Sequence, residues 1–323
     1  MSGEVKTTCD AIEPKLAVVL TGADDPAGLA QAARSAWASS RAPERVTWWL
    51  VTTHEGLETI RLAEAGGADL PACFQLMLVS SDEIATQRAE AVAAIGSDWV
   101  IFTEAGCRHP VGWVEDWVEA IERAEAQGIQ TVGGVVEPGE DTIKDRRALA
   151  VWLHEYVHAL PDTTGTVRPA GCDAAVAVPR ARGLVAERGR LFDQEWTDSG
   201  QSPIRRTGPP VRYARPTPVG GWISERIGAG ESYGQTRPIL QAWGGVRSSW
   251  LAALALTPLI AALQTRGLVG SLLGSARGRD LAWRAGIALV AVVLGWSWGE
   301  ARGSSGLASR RDEDSPLSVA TSS

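Results

Sequence analysis

The sequence predicts an α/β protein: a mostly parallel sheet flanked by helices, followed by a C-terminal hydrophobic helical hairpin. Three observations lead there. From residue 16 onward, short β-like runs alternate with amphipathic helical stretches, the pattern of strand–helix–strand units. Polar residues stand at the carboxyl ends of three of those runs, at Thr21, Thr52–Thr53 and Thr103–Glu104. Two late stretches, WLAALALTPLIAAL (250–263) and AGIALVAVVLGWSW (285–298), are almost wholly apolar.

Taken in order, LAVVLT (16–21) reads as a buried first strand, and a helix around 26–40 follows with Leu29, Ala33 and Trp37 on one face. VTWWLVT (46–52) is the second strand, and GLETIRLAEAG a helix closed by Gly66. FQLMLVS (74–80) leads into DEIATQRAEAVAAIG, where Asp82 or Ser81 is placed to cap the helix. DWVIFT (98–103) is the fourth strand, WVEDWVEAIERAEAQ a strongly amphipathic helix, and TVGGVVE (131–137) a fifth strand. Open sheets of this kind bind ligands at the carboxyl ends of their strands. Thr21, Thr53 and Glu104 therefore become candidate binding residues on placement alone.

After residue 203 the texture changes. SPIRRTGPPVRYARPTPVGGW is rich in Pro, Gly and Arg and reads as an extended cationic connection. Each late apolar stretch is short of the ~20 residues needed for a perpendicular membrane span. Both are flanked by Trp, and the segment between them carries Arg266, Arg277, Arg279 and Arg284. A monotopic or re-entrant hairpin touching membrane lipids fits this pattern, the alternative being two buried helices of a soluble domain. The tail after Gly303 is polar and predicts disorder. The expected division is an N-terminal extension (1–13), an α/β domain (14–240), membrane-associating helices (241–303) and a disordered tail (304–323).

Composition narrows the function classes. Of 323 residues, 45% are hydrophobic and 21% charged, which suits a globular protein with a real core. The net charge of -7 gives no overall basic field, so nucleic acid is not an expected partner. The four cysteines, Cys9, Cys73, Cys107 and Cys172, are scattered without C-x-x-C spacing and read as thiols of a reducing compartment. The first fifteen residues contain no apolar core of a signal peptide. Trp occurs 14 times against 3 Phe and 3 Tyr, with six copies from Trp222 onward, a skew that suits a chain end at a membrane interface.

Two motifs carry chemistry. HEYVH (His154–His158) is a literal H-E-x-x-H, which on a helix sets two imidazoles one turn apart and Glu155 as a base for zinc-bound water. No third histidine follows in ALPDTTG; Glu187 or Glu195 could complete such a site. The plainer reading is an amphipathic helix with histidines flanking a buried Tyr. The second motif is TEAGCRHPVGW (103–113), an acidic strand end trailed by Cys, Pro and Gly-Trp.

In context the second motif resembles the family-2 glycosyltransferases, enzymes of GT-A fold that use nucleotide-activated sugars. The successive parts are KLAVVLTGADDP, WWLVTTHEG, QRAEAVAAIGSDWVIF and TEAGCRHPVGW, then VWLHEYVHALP, AGCDAAVAVPR, ESYGQTR and WSWGEARGSSG. They run in the family's order over about residues 15–303. The resemblance implies a membrane-associated enzyme, with the domain facing the cytoplasm, that moves a sugar from a nucleotide-sugar donor to a glycan or lipid-linked acceptor. It implies Thr21, Thr53, Arg88 and Glu104 on the donor side, and Gly171, Asp173 and Arg180 on the acceptor side. The general base would come from FDQEWTD, with Glu195 the first choice beside Asp193 and Asp198. A departing diphosphate needs its charge offset by a cation. The family's D-x-D carboxylates hold Mg²⁺ or Mn²⁺; here the triplet is Glu104-Ala105-Gly106, leaving Glu104 as the metal ligand. The acidic turn after the second strand is Thr52-Thr53-His54, and the family's Arg-Asn pair keeps only Arg88. Arg205, Arg206, Arg212, Arg215 and Arg226 are then expected either to compensate at the diphosphate or to face anionic lipid. A second expectation comes from a different class: a glycosyltransferase-like membrane scaffold that has lost catalysis.

Overall fold

The computed structural model describes residues 16–22, 25–65, 73–81, 83–163, 169–188, 191, 203–214, 221–236 and 250–305. β1 (Leu16–Thr21) is buried at every position. Its side chains alternate between two cores, Leu16, Val18 and Leu20 joining one, Ala17 and Val19 the other. A strand covered on both faces has this period-two division, which is why the run is apolar throughout. α1 (Pro26–Ser39) starts at an Asp25 cap whose carboxylate accepts from the Gly28 amide, with Pro26 in the first turn.

β2 (Thr47–Thr52), α2 (His54–Ala65), β3 (Phe74–Leu78), α3 (Ile84–Ala94) and β4 (Trp99–Glu104) follow where the sequence periodicity puts them. Ser81 Oγ accepts from the Glu83 amide ahead of α3, while Asp82 and Gly66 lie outside the described residues. Next come β5 (Cys107–Arg108), α4 (Trp113–Ala126), β6 (Thr131–Gly133), β7 (Val136–Pro138), α5 (Glu140–Lys144) and α6 (Arg146–Tyr156). β8 (Asp173–Ala177), α7 (Val178–Arg188), β9 (Ile204–Arg205) and β10 (Val211–Tyr213) complete the sheets. The large sheet has seven strands in the order β3-β2-β1-β4-β8-β6-β9. β3, β2, β1 and β4 are parallel, whereas β8 runs antiparallel to both β4 and β6. A small sheet, β5-β10-β7, sits after the end of β4.

The expected fifth strand splits in two. Gly134 donates its amide to Asp173 O at 2.8 Å, and a Cβ there would meet that oxygen at 2.2 Å. This close approach ends β6 and sends the chain on as β7 in the other sheet.

The C-terminal hydrophobic region is present as helices, with more packing than its composition suggests. α8 (Trp222–Thr236), α9 (Trp250–Leu273), α10 (Ala276–Ala285) and α11 (Ile287–Ser304) follow one another. Leu281, Ala285, Leu289 and Val292 belong to the main core, so α10 and half of α11 are built into the domain. α8 and α11 touch backbone to backbone. A Cβ on Gly299 would lie 2.0 Å from Ile227 O, and one on Gly303 2.1 Å from Glu231 O. Gly230 and Gly234 meet the α11 carbonyls of Trp296 and Glu300 in the same way, at 2.4 and 2.3 Å. The four-residue glycine spacing puts all of them on the facing stripes of two helices. α9 contains one segment long and apolar enough to cross a membrane, Ala253–Leu273, with mean hydropathy 1.3 and 6% of the window buried. α10 and α11 pass the same test only as a pair bent by 89°.

Candidate functional site

The site begins where β1 and β4 end side by side, Thr21 opposite Glu104 in register. Thr21 is buried and donates its hydroxyl to Thr103 O at 3.5 Å, while Ala105 N donates to Thr21 O at 2.9 Å. Gly22 follows at φ 136°, and a Cβ there would be 2.6 Å from the Ala105 Cβ, so only glycine fits this joint. Its amide donates to Gln87 Oε1 at 3.1 Å, and Gln87 Nε2 donates to Ser81 O at 3.2 Å.

Glu104 is 4% exposed and lies on the sheet face shared with Phe102 and α3. Arg88 Nη2 on α3 donates to its Oε1 at 2.5 Å. The Tyr156 hydroxyl at the end of α6 donates to Oε2 at 3.3 Å. The guanidinium sits 5.7 Å from the centre of the Phe102 ring, and a Cβ on Gly171 would come within 2.1 Å of Arg88 Nη2. Arg88, Glu104 and Gly171, three positions marked by separate sequence segments, thus meet around one guanidinium. Burial first, and the Glu104 charge second, push the Tyr156 phenol well above its usual range, which keeps it a donor. Its ring meets Tyr213 edge-on at 5.3 Å.

Beyond Glu104 the chain turns sharply. Gly106 has φ +83°, and a Cβ there would be 2.4 Å from Ala214 O. Ala214 N in turn donates to Gly106 O at 3.0 Å. His109 packs its ring against Trp113 with centroids 4.3 Å apart, bonds Thr103 Oγ1 through Nε2 at 2.9 Å, and donates its backbone amide to Ser35 Oγ at 2.8 Å. Burial first, then Arg206 and Arg108, lower its pKa to about 3, so the ring is neutral and supplies no positive charge. Among the described residues no group of three or more His, Cys, Asp or Glu side chains could hold a metal ion. The residues present do not fit the divalent ion that the family resemblance implies.

Asp173, expected on the acceptor side, is a sealed structural carboxylate. It is fully buried and accepts from Trp113 Nε1 (2.9 Å), Trp117 Nε1 (3.3 Å), Val135 N (3.0 Å) and Arg206 Nη2 (3.0 Å). Arg206, whose side chain has no exposed surface, also reaches Asp116 at 3.3 Å and lies 5.5 Å from the Trp117 ring. Arg180 sits in the first turn of α7, beyond the opposite end of β8, so the antiparallel direction of that strand carries it away from Glu104. Thr53 ends β2 and accepts from the Gly56 amide at 3.2 Å, a capping role at the start of α2.

Three of the five arginines expected to compensate at the diphosphate or face lipid are engaged within the fold. Arg205 donates to the carbonyls of His158, Leu160 and Thr163, Arg206 is in the sealed cluster, and Arg226 pairs with Glu155 and Glu225. Arg212 is exposed, in register with Arg108 across β5 and β10. Arg215, Asp193, Glu195 and Asp198 lie outside the described residues. The HEYVH segment does not form a zinc face. The α-helix stops at Tyr156 and His158 falls in a 3-10 turn, Val157–Ala159. His154 packs against Trp296 at 5.3 Å, while His158 Nε2 faces Pro169 O at 3.3 Å. The residue of this motif that reaches the site is Tyr156, which sequence reasoning treated as core. Gln87 was also missed, although it stands directly before Arg88.

No protein-family model matches the chain, and no curated protein matches it in sequence. Among solved structures, the mannosyltransferase PcManGT from Pyrobaculum calidifontis, in complex with GDP-Man and Mn²⁺, is similar at 17% identity and TM-score 0.46 over 87% of this chain and 86% of that one. TarS 1-349 of S. aureus, in complex with UDP-GlcNAc, is similar at 8% identity and TM-score 0.44, over 92% and 91% of the two chains. A mycobacterial protein is similar at 14% identity and TM-score 0.41, over 68% and 74%.

Proposed function

We propose that this protein transfers a sugar from a nucleotide-sugar donor to a lipid-linked or cell-surface glycan acceptor at a membrane. The observation that carries the reading is the meeting of Arg88, Glu104 and Gly171 around one guanidinium at the carboxyl end of β4. Three segments ordered as in family-2 glycosyltransferases build one place, and it is the place where a parallel sheet binds its ligand. In this reading Thr21, Gly22 and Thr53 line the nucleotide side. Arg88 supplies positive charge toward the diphosphate, and Tyr156 and Phe102 hold the Arg88–Glu104 pair in position. The acceptor base comes from the stretch carrying Asp193, Glu195 and Asp198, with Glu195 preferred; it takes the acceptor hydroxyl proton as the new bond forms at the anomeric carbon.

The membrane part rests on exposed apolar surface. Of the fourteen exposed large hydrophobic side chains among the described residues, ten fall between Leu251 and Leu294, where Arg266, Arg277, Arg279 and Arg284 flank them. Such surface concentrated in one region marks an interaction face, and interspersed arginines suit an anionic bilayer.

A second reading, a membrane scaffold without catalysis, is favoured by the replacement of acidic donor-side residues with Thr52, Thr53 and Gly106. Titration of the purified, detergent-held protein with UDP and GDP separates the two. Saturable binding that weakens in Glu104→Ala supports the transferase, and absence of any nucleotide binding leaves the scaffold.

A further inference from the structure

We infer that this site holds its nucleoside diphosphate without a divalent ion, the cation being the Arg88 guanidinium that Glu104 anchors as a positioning residue. The inference rests on the donor-site reading above and concerns how that site offsets charge.

Three features converge on it. First, Glu104 is committed: one oxygen pairs with Arg88 at 2.5 Å and the other accepts from Tyr156 at 3.3 Å. Mg²⁺ and Mn²⁺ need several oxygen ligands, and both oxygens of Glu104 already accept from donors fixed in the fold.

Second, the loss of the other carboxylate at position 106 is built into the backbone. The positive φ of +83° strains any L side chain, and a Cβ would press on Ala214 O at 2.4 Å. The ladder of β10 on β5, with Tyr213 opposite Cys107 and Arg212 opposite Arg108, holds that carbonyl in place. No side chain at 106 could project toward an ion.

Third, no second carboxylate is placed to join Glu104 at this strand end among the described residues, since Asp173 is held by Arg206 and three further N–H donors. Thr21 and Thr103 are hydroxyls, and His109 is an uncharged ring turned to Thr103. Arg88 is instead fixed on three sides, by Glu104, the Phe102 ring and the Gly171 backbone. A guanidinium carries a permanent charge and a planar fork of N–H donors matched to phosphate oxygens. Fixing it before the ligand arrives does for the diphosphate what a bound ion would do.

The test uses the full chain in detergent, titrated calorimetrically with UDP and with GDP, in Mn²⁺ and again in EDTA. The expected result is dissociation constants that agree within about twofold between the two conditions. Arg88→Lys, which keeps the charge but loses the fork, and Gly171→Ala, which displaces the guanidinium, are each expected to weaken binding by about tenfold or more, equally with and without metal. Circular dichroism establishes that the variants are folded. A tenfold loss of affinity in EDTA, or a stoichiometric Mn²⁺ signal by electron paramagnetic resonance that vanishes in Glu104→Gln, would overturn the inference while leaving the transferase reading intact. Wild-type affinity in folded Arg88→Lys and Gly171→Ala would overturn it as well. Failure of every nucleotide to bind in either condition would instead defeat the donor-site reading, and this inference with it.

Discussion

Glu104–Arg88 and Asp173–Arg206 are both buried carboxylate–guanidinium pairs, carried on adjacent strands and separated by one residue of register, since Asp173 lies opposite Thr103. Their surroundings differ because successive residues of a strand point to opposite faces. Asp173 points into the main core, where two indoles, a backbone amide and Arg206 surround it completely. Glu104 points to the other face, with one guanidinium and one phenol as partners and a small exposed fraction. The same pair chemistry therefore braces the core on one face and, on the other, stands at the strand end where the proposed donor site lies. A position at a strand end does not decide between these roles; the face does.

Asp173→Ala should show the largest effect, because it leaves the buried Arg206 guanidinium with only the partly exposed Asp116 and strips two indoles and a backbone amide of their acceptor. A loss of ~3–5 kcal/mol is expected by urea unfolding; an unchanged midpoint would break the comparison at its structural end. Next is Gly299→Ala, whose methyl meets Ile227 O at 2.0 Å. It should cost ~1–3 kcal/mol and loosen α8, which holds Arg226 on Glu155 beside Tyr156. Glu104→Gln comes third. Its amide can still hydrogen-bond Arg88 but removes the counter-charge of that buried guanidinium, so stability should fall by ~1–3 kcal/mol while nucleotide affinity drops sharply. The reverse pattern, large instability with intact binding, would make Glu104 a second Asp173.

The smallest expected effect is pH dependence through His109, which bonds Thr103 and packs on Trp113. Its folded pKa of about 3 is below the ordinary 6.5. Below the ordinary value the unfolded chain takes up a proton that the folded chain refuses, so stability declines as pH falls through the range from 6.5 toward 3. His109→Gln should flatten that part of the melting-temperature profile, and an identical acid slope in the variant would remove His109 from the account.

The parallel half of the sheet was legible because each strand carries its own signal. LAVVLT and DWVIFT are short apolar runs bounded by polar residues, and the helices between them repeat their buried positions locally. The sequence order put Arg88 and Glu104 on a donor side and Gly171 on an acceptor side; that all three meet around one guanidinium is a nonlocal contact the order does not contain. Arg180 was misplaced because strand direction is a nonlocal property, and nothing in AGCDAAVAVPR says that β8 runs against β4. HEYVH misled because a five-residue pattern cannot reveal that its helix ends inside it. Tyr156, hidden in that motif as an apparent core aromatic, is the residue that reaches Glu104.

By itself the sequence determined the layered α/β plan, the strand ends that receive the site, and the apolar surplus of the C-terminal helices, all set by local periodicity and composition. The tertiary structure decided which carboxylate lies on which face of the sheet, why position 106 can hold only a glycine, and that two glycine stripes bring α8 and α11 into backbone contact. Those outcomes depend on which distant atoms come within van der Waals reach, and the spacing of residues along one segment carries no record of that.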